Sequence, residues 1–360
     1  MTKRVSTSHT LAVACVLVLA GAGCASDTGD AAAAPQSAAP ADTGPRMRTV
    51  EANGIKLRIA EMGQGPLVIF LHGFPESWYS WRHQLPATAK AGFHAVAPDL
   101  RGYGKSDKPA GVDDYDIHHL TADVVGLIDA LGEKTAVVVG HDWGALVAWN
   151  AVLLHPDRFT AVAAMSVPYG GRSAASPLET MKKTYGDDFY YILYFQEPGV
   201  AEAELGEDDA RSLRMIYLGA SGQGVGTFIA EKPVDAKMLD GMVDPDPLPA
   251  FFDQDDLDLY AAAYATSGWH GPINRYRAQG LDAADIGQIE GGDLVQPAAF
   301  IGGELDPVRR FVPGADLYDF APNHCKDFRG TTVVPGAGHW VQQEAPDDTN
   351  AALDRFLDDL

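Results

Sequence analysis

Short, continuous runs of apolar residues alternate with amphipathic segments along most of the chain. Four of these runs predict strands buried on both faces of a sheet, and they span residues 66–71, 94–97, 135–139 and 160–165. The intervening segments predict helices at residues 78–91, 118–131 and 144–155, and the last two place apolar residues three and four positions apart. Strands that alternate with helices indicate an α/β fold, a mostly parallel sheet with helices on both faces.

The alternation is interrupted in two places. Near the start, Asn53-Gly54 lies between short alternating runs, which predicts a hairpin over residues 50–60. From residue 171 to 291 the chain is richer in acidic and aromatic residues and has no strong buried-strand run, which indicates a mainly helical insertion. Strand-like runs and an amphipathic helix follow, at residues 298–301, 331–334 and 347–360. The predicted divisions are a first core part, 47–170, a helical cap, 171–291, and a second core part, 292–360.

The N-terminal segment has a different pattern. Lys3 and Arg4 precede an apolar stretch at residues 11–20, and small residues follow it. This arrangement is typical of a secretory signal, here residues 1–24, and the apolar stretch is short for a membrane span. The pattern therefore predicts export from the cytoplasm.

The end of this segment, Ala22-Gly23-Cys24, resembles a bacterial lipoprotein signal. It departs from that pattern at Gly21, where a branched apolar residue is preferred. The resemblance implies a lipid on Cys24 and a location at the outer face of a bacterial membrane; plain secretion and an uncleaved anchor are the alternatives. Residues 25–46, rich in Ala, Pro, Ser, Gly and Asp, predict a flexible linker.

Composition and charge narrow the classes of function. The 360 residues are 46% hydrophobic and 21% charged, as expected for a globular protein with a sizeable core. The formal net charge of −22 argues against nucleic acid as a partner, because phosphate backbones bind basic surfaces. Two of the three cysteines, Cys15 and Cys24, lie in the predicted signal segment, so Cys325 has no partner for a disulfide in the folded part.

The strongest chemical motif is Gly140-His141-Asp142-Trp143-Gly144. It follows a buried run and opens a predicted helix, as does the nucleophile elbow of α/β-hydrolases. Such an elbow is a sharp, strained turn that brings helix and strand together, so small residues are needed on both sides. The central residue is normally serine, and Asp142 here predicts a carboxylate nucleophile.

A second motif, His72-Gly73-Phe74-Pro75, directly follows the run at residues 66–71. In the α/β-hydrolase fold this loop supplies one backbone N–H of the oxyanion hole, and the residue after the nucleophile supplies the other. The N–H groups of Phe74 and Trp143 are therefore the predicted oxyanion hole.

A base and an orienting acid are also in place. Asp306 follows the run at residues 298–301, and His339 follows the run at residues 331–334. Nucleophile, acid and base in this chain order are those of the α/β-hydrolase fold. Asp306 and His339 are therefore predicted to complete the catalytic triad, with Glu304 as an alternative for the acid.

From about residue 47 to its end, the chain resembles soluble-type epoxide hydrolases of the α/β-hydrolase fold. The matching segments in the core are residues 72–78, 99–104, 140–144 and 338–340, and those in the cap are residues 191–202 and 271–277. The resemblance implies hydrolysis of an epoxide by water, with no cofactor and no metal ion.

The resemblance also implies roles for two cap tyrosines. Tyr191 and Tyr276 would hydrogen-bond the epoxide oxygen, since ring opening creates an alkoxide that a phenol can protonate. Tyr190 and Tyr194 are neighbours in the same stretch and alternatives to Tyr191. The apolar and aromatic residues of the cap indicate a hydrophobic substrate. The residues predicted to contact this substrate are Trp143, Ile192 and Phe195.

Two other functions fit parts of the pattern. A haloalkane dehalogenase uses the same nucleophile, acid and base, but it commonly has Asn after the His-Gly pair, where this chain has Phe74. A fluoroacetate-type dehalogenase usually has Arg after the nucleophile, where this chain has Trp143. A non-catalytic surface binding protein on this scaffold would have lost a catalytic position, and each predicted position is present.

Overall fold

The computed structural model describes residues 44–171, 175–224, 227–228, 230–286 and 292–360. The predicted signal segment, Cys24 and almost all of the predicted linker therefore lie outside the described residues. Within those ranges, no helix combines the length and the apolar character that crossing a bilayer requires.

The described part of the chain forms one sheet of eight strands. They are β1 (Arg46–Ala52), β2 (Ile55–Met62), β3 (Leu67–Leu71), β4 (His94–Pro98), β5 (Ala136–His141), β6 (Phe159–Met165), β7 (Leu294–Gly303) and β8 (Cys325–Val334). Their spatial order is β1-β2-β4-β3-β5-β6-β7-β8. Strand β2 runs antiparallel to both neighbours and the other pairs are parallel, so the predicted mostly parallel sheet is confirmed.

The predicted hairpin is confirmed and is longer than its sequence signal. Ala52 of β1 pairs with Ile55 of β2, and the two turn residues, Asn53 and Gly54, have φ of 48° and 76°. Positive φ at both central positions is the requirement of the tight turn that matches strand twist. Pairing extends back to Arg46, the last residue of the predicted linker.

Helices lie on both faces of the sheet and over its carboxyl edge. The core helices are α1 (Gln84–Lys90), α2 (Ile117–Ala130), α3 (Trp143–Leu154), α10 (Val341–Glu344) and α11 (Pro346–Asp358). The cap helices are α4 (Pro177–Tyr185), α5 (Tyr191–Tyr194), α6 (Val200–Leu205), α7 (Asp209–Ala220), α8 (Gln254–Ser267) and α9 (His270–Ile286). The cap helices lie between β6 and β7 in the chain, as the helical insertion predicts.

Alternate residues of the buried strands enter different cores. In β3, Ile69 and Leu71 belong to the cluster that includes α2, α3 and the cap, whereas Val68 and Phe70 belong to the cluster that includes α1 and α11. This division follows from the two-residue period of a strand. Continuous apolar runs are therefore required, because both faces of the strand are covered.

The predicted single helix over residues 78–91 is wrong in one respect. The segment contains a short 3-10 helix, Trp78–Trp81, and then α1, which starts at Gln84. Pro86 is the third residue of α1. Since proline has no N–H to donate and clashes with the turn before it, the chain can hold Pro86 only in a helix's first turn. The helix must therefore restart just before it.

Candidate active site

The chain bends sharply at Asp142, between β5 and α3. Asp142 has φ of 52° and ψ of −119°, a strained conformation for a residue with a side chain. A Cβ on Gly140 would collide with the carbonyl of Gly144, and a Cβ on Gly144 would collide with the carbonyl of Leu71. The two glycines of the motif are thus needed for the close approach of α3 to β5 and β3.

The loop after β3 reaches the carboxylate of Asp142. The backbone N–H of Phe74 donates to Oδ1 of Asp142 at 2.8 Å, and a Cβ on Gly73 would collide with the same carboxylate. Trp143 is the first residue of α3, so its N–H has no acceptor within the helix. Both predicted oxyanion donors therefore flank Asp142.

The loops after β7 and β8 bring acid and base to the other side of Asp142. Nε2 of His339 lies 3.6 Å from Oδ2 of Asp142, and Nδ1 of His339 lies 3.2 Å from Oδ1 of Asp306. The carboxylate of Asp306 also accepts hydrogen bonds from the Val308 N–H at 2.9 Å and from the Tyr318 hydroxyl at 2.8 Å. These contacts fix the acid and orient the ring of His339.

Glu304, the alternative acid, points elsewhere. Its side chain is exposed, and its Oε2 accepts a hydrogen bond from the Gly336 N–H at 3.0 Å. Asp306 is 2% exposed and faces His339 directly. The geometry therefore assigns the orienting position to Asp306.

Charges within the triad alter its proton affinities. Burial alone would lower the pKa of His339, but the carboxylates of Asp306 and Asp142 outweigh it and hold this pKa well above its usual range. Burial would raise the pKa of Asp306, but His339 and the hydrogen bonds to its carboxylate lower this pKa overall. In the free protein, the triad therefore holds a cationic imidazole between two carboxylates.

Two cap tyrosines face Asp142. Tyr191 begins α5 and Tyr276 lies in α9, and both line cavities that Asp142 also lines. Burial raises the pKa of each phenol well above its usual range, and the neighbouring tyrosine and Asp142 add to the effect. Both phenols therefore keep their protons at neutral pH and can donate them.

The neighbours of Tyr191 have other contacts. The hydroxyl of Tyr194 donates to Glu204 at 2.8 Å. The ring of Tyr190 stacks on Tyr185, with centroids 4.3 Å apart. Tyr191 lines both cavities with Asp142, so the geometry favours the predicted register.

Side-chain hydrogen bonds hold the two tyrosine segments together. Nε of Arg277 donates to the carbonyl of Phe195 at 2.9 Å, and the amide of Gln196 donates to the carbonyl of Tyr276 at 3.2 Å. Arg277 also forms an ion pair with Glu202. These contacts span about 80 positions of sequence and set the relative positions of the two hydroxyl groups.

A cavity of about 450 Å³ extends from Asp142 under the cap. Trp143 and Ile192, two of the predicted substrate contacts, line it. Phe195 requires a correction, because it is fully buried against the rings of Phe74, Tyr191 and Tyr276. It packs behind the tyrosines and supports them, and does not line either cavity at Asp142.

This site has known counterparts. Residues 66–346 match the family model described as alpha/beta hydrolase fold. The chain is 44% identical over 326 residues to epoxide hydrolase A of Mycobacterium tuberculosis, and the match covers 88% of this chain and 98% of that protein. The chain belongs to the epoxide hydrolase family. The predicted family and enzyme class are thereby confirmed.

Solved structures of epoxide hydrolases share the fold. An epoxide hydrolase from an endophytic Streptomyces matches with a TM-score of 0.84 at 42% identity, over 88% of this chain and 96% of that chain. Epoxide hydrolase A from Mycobacterium thermoresistibile matches with a TM-score of 0.82 at 44% identity, over 87% and 98%. The predicted α/β-hydrolase fold with its helical cap is therefore confirmed.

Beneath the triad of this epoxide hydrolase lies a buried ion pair that sequence reasoning missed. His141 directs Nε2 at the carbonyl of His339, 2.8 Å away, and Nδ1 at Oε2 of Glu76, 2.7 Å away. Both partners are acceptors, so both ring nitrogens of His141 carry protons. Glu76 also accepts from the Gly73 N–H at 2.7 Å, and thus connects the oxyanion loop, the elbow and the His339 loop.

The sequence contains both residues of this pair in recognisable motifs, but it does not show that they are in contact. Glu76 and His141 both lie in motifs that match the family, but 65 positions separate them. Motifs of this kind identify candidate functional residues, but they do not show which residues of one motif contact those of the other. Only the strand order, with β3 beside β5, brings the carboxylate and the imidazole together.

We expect Glu76→Gln to lower the free energy of unfolding at pH 7 by about 3 kcal/mol, because it leaves a buried cation without its partner. Burial would raise the pKa of Glu76, but His141 outweighs it and lowers this pKa to about 2. A carboxyl group whose pKa is lower in the folded than in the unfolded protein stabilises the fold at pH values above the unfolded pKa. This stabilisation is lost as the pH falls through the folded pKa. The difference between wild type and variant should therefore shrink below about pH 4.5.

Urea unfolding of both proteins between pH 7 and pH 3 measures this difference. Glu304→Gln is the matched control, since Glu304 is exposed, and its loss should stay below about 1 kcal/mol. Equal losses in the two variants, or a loss at Glu76 that does not change with pH, would contradict the ion pair.

Neither a metal cluster nor a reactive thiol is found among the described residues. Among the described residues, no group of three or more His, Cys, Asp or Glu side chains is arranged to hold a metal ion. Cys325 is half-buried, and burial raises the pKa of its thiol to about 11. That thiol is therefore protonated at neutral pH and a weak nucleophile.

Proposed function

We propose that this epoxide hydrolase converts a hydrophobic epoxide to a vicinal diol through a covalent ester on Asp142. One observation carries the proposal. The Asp142 carboxylate lies between the Phe74 N–H at 2.8 Å and Nε2 of His339 at 3.6 Å, on the wall of a cavity that Tyr191 and Tyr276 also line. A nucleophile, a base, an oxyanion donor and two acids thus meet at one point.

Ring opening is the first step. An oxygen of Asp142 attacks one ring carbon, and the bond between that carbon and the epoxide oxygen breaks, with its electron pair going to the oxygen. A proton from Tyr191 or Tyr276 converts this oxygen to a hydroxyl and leaves a tyrosinate. The products are an ester of Asp142 and a free hydroxyl on the adjacent carbon.

Ester hydrolysis is the second step. Esterification removes the charge of Asp142, which is one of the charges that hold the pKa of His339 high, so the imidazolium can pass its proton to the tyrosinate and become a base. His339 takes a proton from water, and the resulting hydroxide attacks the ester carbonyl carbon. Its oxyanion is stabilised by the N–H groups of Phe74 and Trp143.

Collapse of this intermediate restores the enzyme. The bond between the carbonyl carbon and the alkoxy oxygen breaks, and the alkoxide takes the proton that the attacking oxygen brought. Asp142 is again a carboxylate and the diol is complete. His339 keeps the proton that it took from water, so the imidazole is again cationic, as in the free enzyme.

The dehalogenase alternative lacks support at a decisive position. Position 74 would commonly carry an Asn donor for halide, and here Phe74 packs edge to face against Phe195 and Tyr276, with centroids 5.5 and 5.2 Å apart. The relatives and the solved neighbours are named as epoxide hydrolases. Retention of every predicted catalytic position likewise argues against a non-catalytic binding protein.

Single turnover in water labelled with heavy oxygen tests the ester. With enzyme in excess, the first diol should contain unlabelled oxygen from Asp142, because solvent oxygen enters the carboxylate and not the product. Mass spectrometry of the diol measures this. Repeated turnover in the same water is the control, since its diol must carry label, and a labelled first diol would exclude the ester.

The location of the enzyme is a separate proposal. The sequence pattern at residues 1–24 supports export, and Cys24 supports a lipid anchor. Mass analysis of the mature N-terminus in a bacterial host tests both. Acylation of Cys24 in the wild type, and its absence in Cys24→Ser, would support the anchor. An unmodified N-terminus or an intact leader would contradict the anchor.

A further inference from the structure

Two cavities of very different size meet at Asp142. One has a volume of about 450 Å³ and the other about 20 Å³. The walls that they share are Asp142, Tyr191, Tyr276, Val308 and Phe311. The reacting carboxylate and both tyrosines are therefore at the junction, with unequal room on its two sides.

The larger cavity is apolar and open. Leu146, Met181 and Leu317 contribute to its lining. Thr180 and Thr184 of α4, at its outer end, are exposed to solvent. A long apolar group can enter here, and its burial contributes roughly 0.8 kcal/mol per methylene.

The smaller cavity, which we call the base chamber, contains His339. Its other walls include Ile216, Ala220 and Trp340, each at most 2% exposed. A volume of about 20 Å³ holds one water molecule, which needs two to four polar partners. His339 and Asp142 supply such partners, so the chamber suits the water of ester hydrolysis.

One wall of the base chamber is fixed. The N–H of His339 donates to the carbonyl of Ala220 at 3.0 Å, and Nε1 of Trp340 donates to the carbonyl of Tyr217 at 2.8 Å. The rings of Trp340 and Tyr217 also stack, with centroids 4.5 Å apart. The end of α7 is thereby bound to the loop that carries the base, and the chamber cannot widen on the side of Ile216 and Ala220 without breaking these contacts.

We infer that this enzyme acts on terminal epoxides that carry one long apolar substituent. An epoxide whose two carbons both carry chains would need to place one chain in the base chamber, where it would clash with Ile216 and displace the hydrolytic water. A terminal epoxide places only hydrogen there. The inference rests on the proposed ester mechanism, which requires water beside His339.

Two epoxides of equal carbon number test the inference. We expect kcat/KM for 1,2-epoxydodecane to exceed that for 6,7-epoxydodecane by at least about ten-fold, since one misplaced methylene alone changes kcat/KM by about 10–200-fold. Equal values, or a preference for the internal epoxide, would overturn the inference. The two compounds are isomers with the same number of carbons, so a difference in hydrophobicity does not explain a large difference in rate.

Enlarging the base chamber provides a second test. Ile216→Ala should raise the ratio of kcat/KM for the internal epoxide to that for the terminal epoxide about ten-fold. Met181→Ala, in the larger cavity, is the matched control and should not raise it. A gain of activity cannot come from misfolding, and Ile216→Val offers a milder change if the alanine variant folds poorly. An unchanged ratio in a folded Ile216 variant counts against the inference.

Failure of the inference and failure of the ester mechanism give different results. An unlabelled first diol with equal rates for the two epoxides would leave the ester in place and remove the substrate assignment. A labelled first diol would remove the ester itself, whatever the ratio of rates.

Discussion

We expect His339→Gln to stop the enzyme after ring opening and to leave substrate attached to Asp142. Glutamine cannot take a proton from water, whereas the attack of Asp142 needs only its own carboxylate and the tyrosines. General-base catalysis contributes about 10²–10⁴-fold, and we expect steady-state turnover to fall by at least that factor. Intact-protein mass spectrometry should show one substrate mass added per enzyme.

A second histidine variant separates this effect from general damage. His119 is exposed at the start of α2, and His119→Gln should keep full turnover and accumulate no adduct. Peptide mapping of the His339 variant should locate the added mass on Asp142. Normal turnover in that variant, or lost turnover without an adduct, would contradict the assigned base.

Replacing both cap tyrosines should block the earlier step. In Tyr191→Phe with Tyr276→Phe, the rings keep their packing against Phe195, with centroids 5.6 and 4.9 Å away, and only the hydroxyl groups are lost. The developing alkoxide then has no acid. Removal of one such donor costs about 10²–10³-fold, so we expect the double variant to lose at least about 10³-fold in the rate of ester formation.

Rapid-quench measurement of the adduct in the His339→Gln background isolates this rate. Tyr194→Phe is the control, because the Tyr194 hydroxyl donates to Glu204, and ester formation there should stay unchanged. Because burial raises the pKa of both phenols, the rate of ring opening in the wild type should not decline as the pH rises to about 10. Undiminished ester formation in the double variant would remove the acids from the mechanism.

The parts of the site that the sequence predicts are those with a local cause. The elbow can be predicted from the sequence because Gly140 and Gly144, on either side of Asp142, pack so closely against neighbouring backbone that neither position has room for a Cβ. This need for glycine falls within five consecutive residues. Asp306 and His339 follow from chain order, since each lies in the loop that follows a strand. The strands are readable because both faces of the sheet are covered, which makes their apolar runs continuous.

Features that depend on distant contacts were not predictable in this way. Tyr191 and Tyr276 needed the resemblance to a family, since nothing in a tyrosine's own neighbourhood shows that it faces a carboxylate. Phe195 was expected in the cavity, but its direction depends on how α5 packs on α9. The base chamber depends on the end of α7, which no motif marks.

The position of the cap in the chain divides the reaction between two parts of the molecule. In the proposed mechanism, the acids for the first step lie on α5 and α9 of the cap, whereas the base and both oxyanion donors for the second lie in the core, on two loops and at the start of α3. Changes in the segment between β6 and β7 can therefore alter which electrophile is opened, while the core groups that would cleave the aspartyl ester stay as they are.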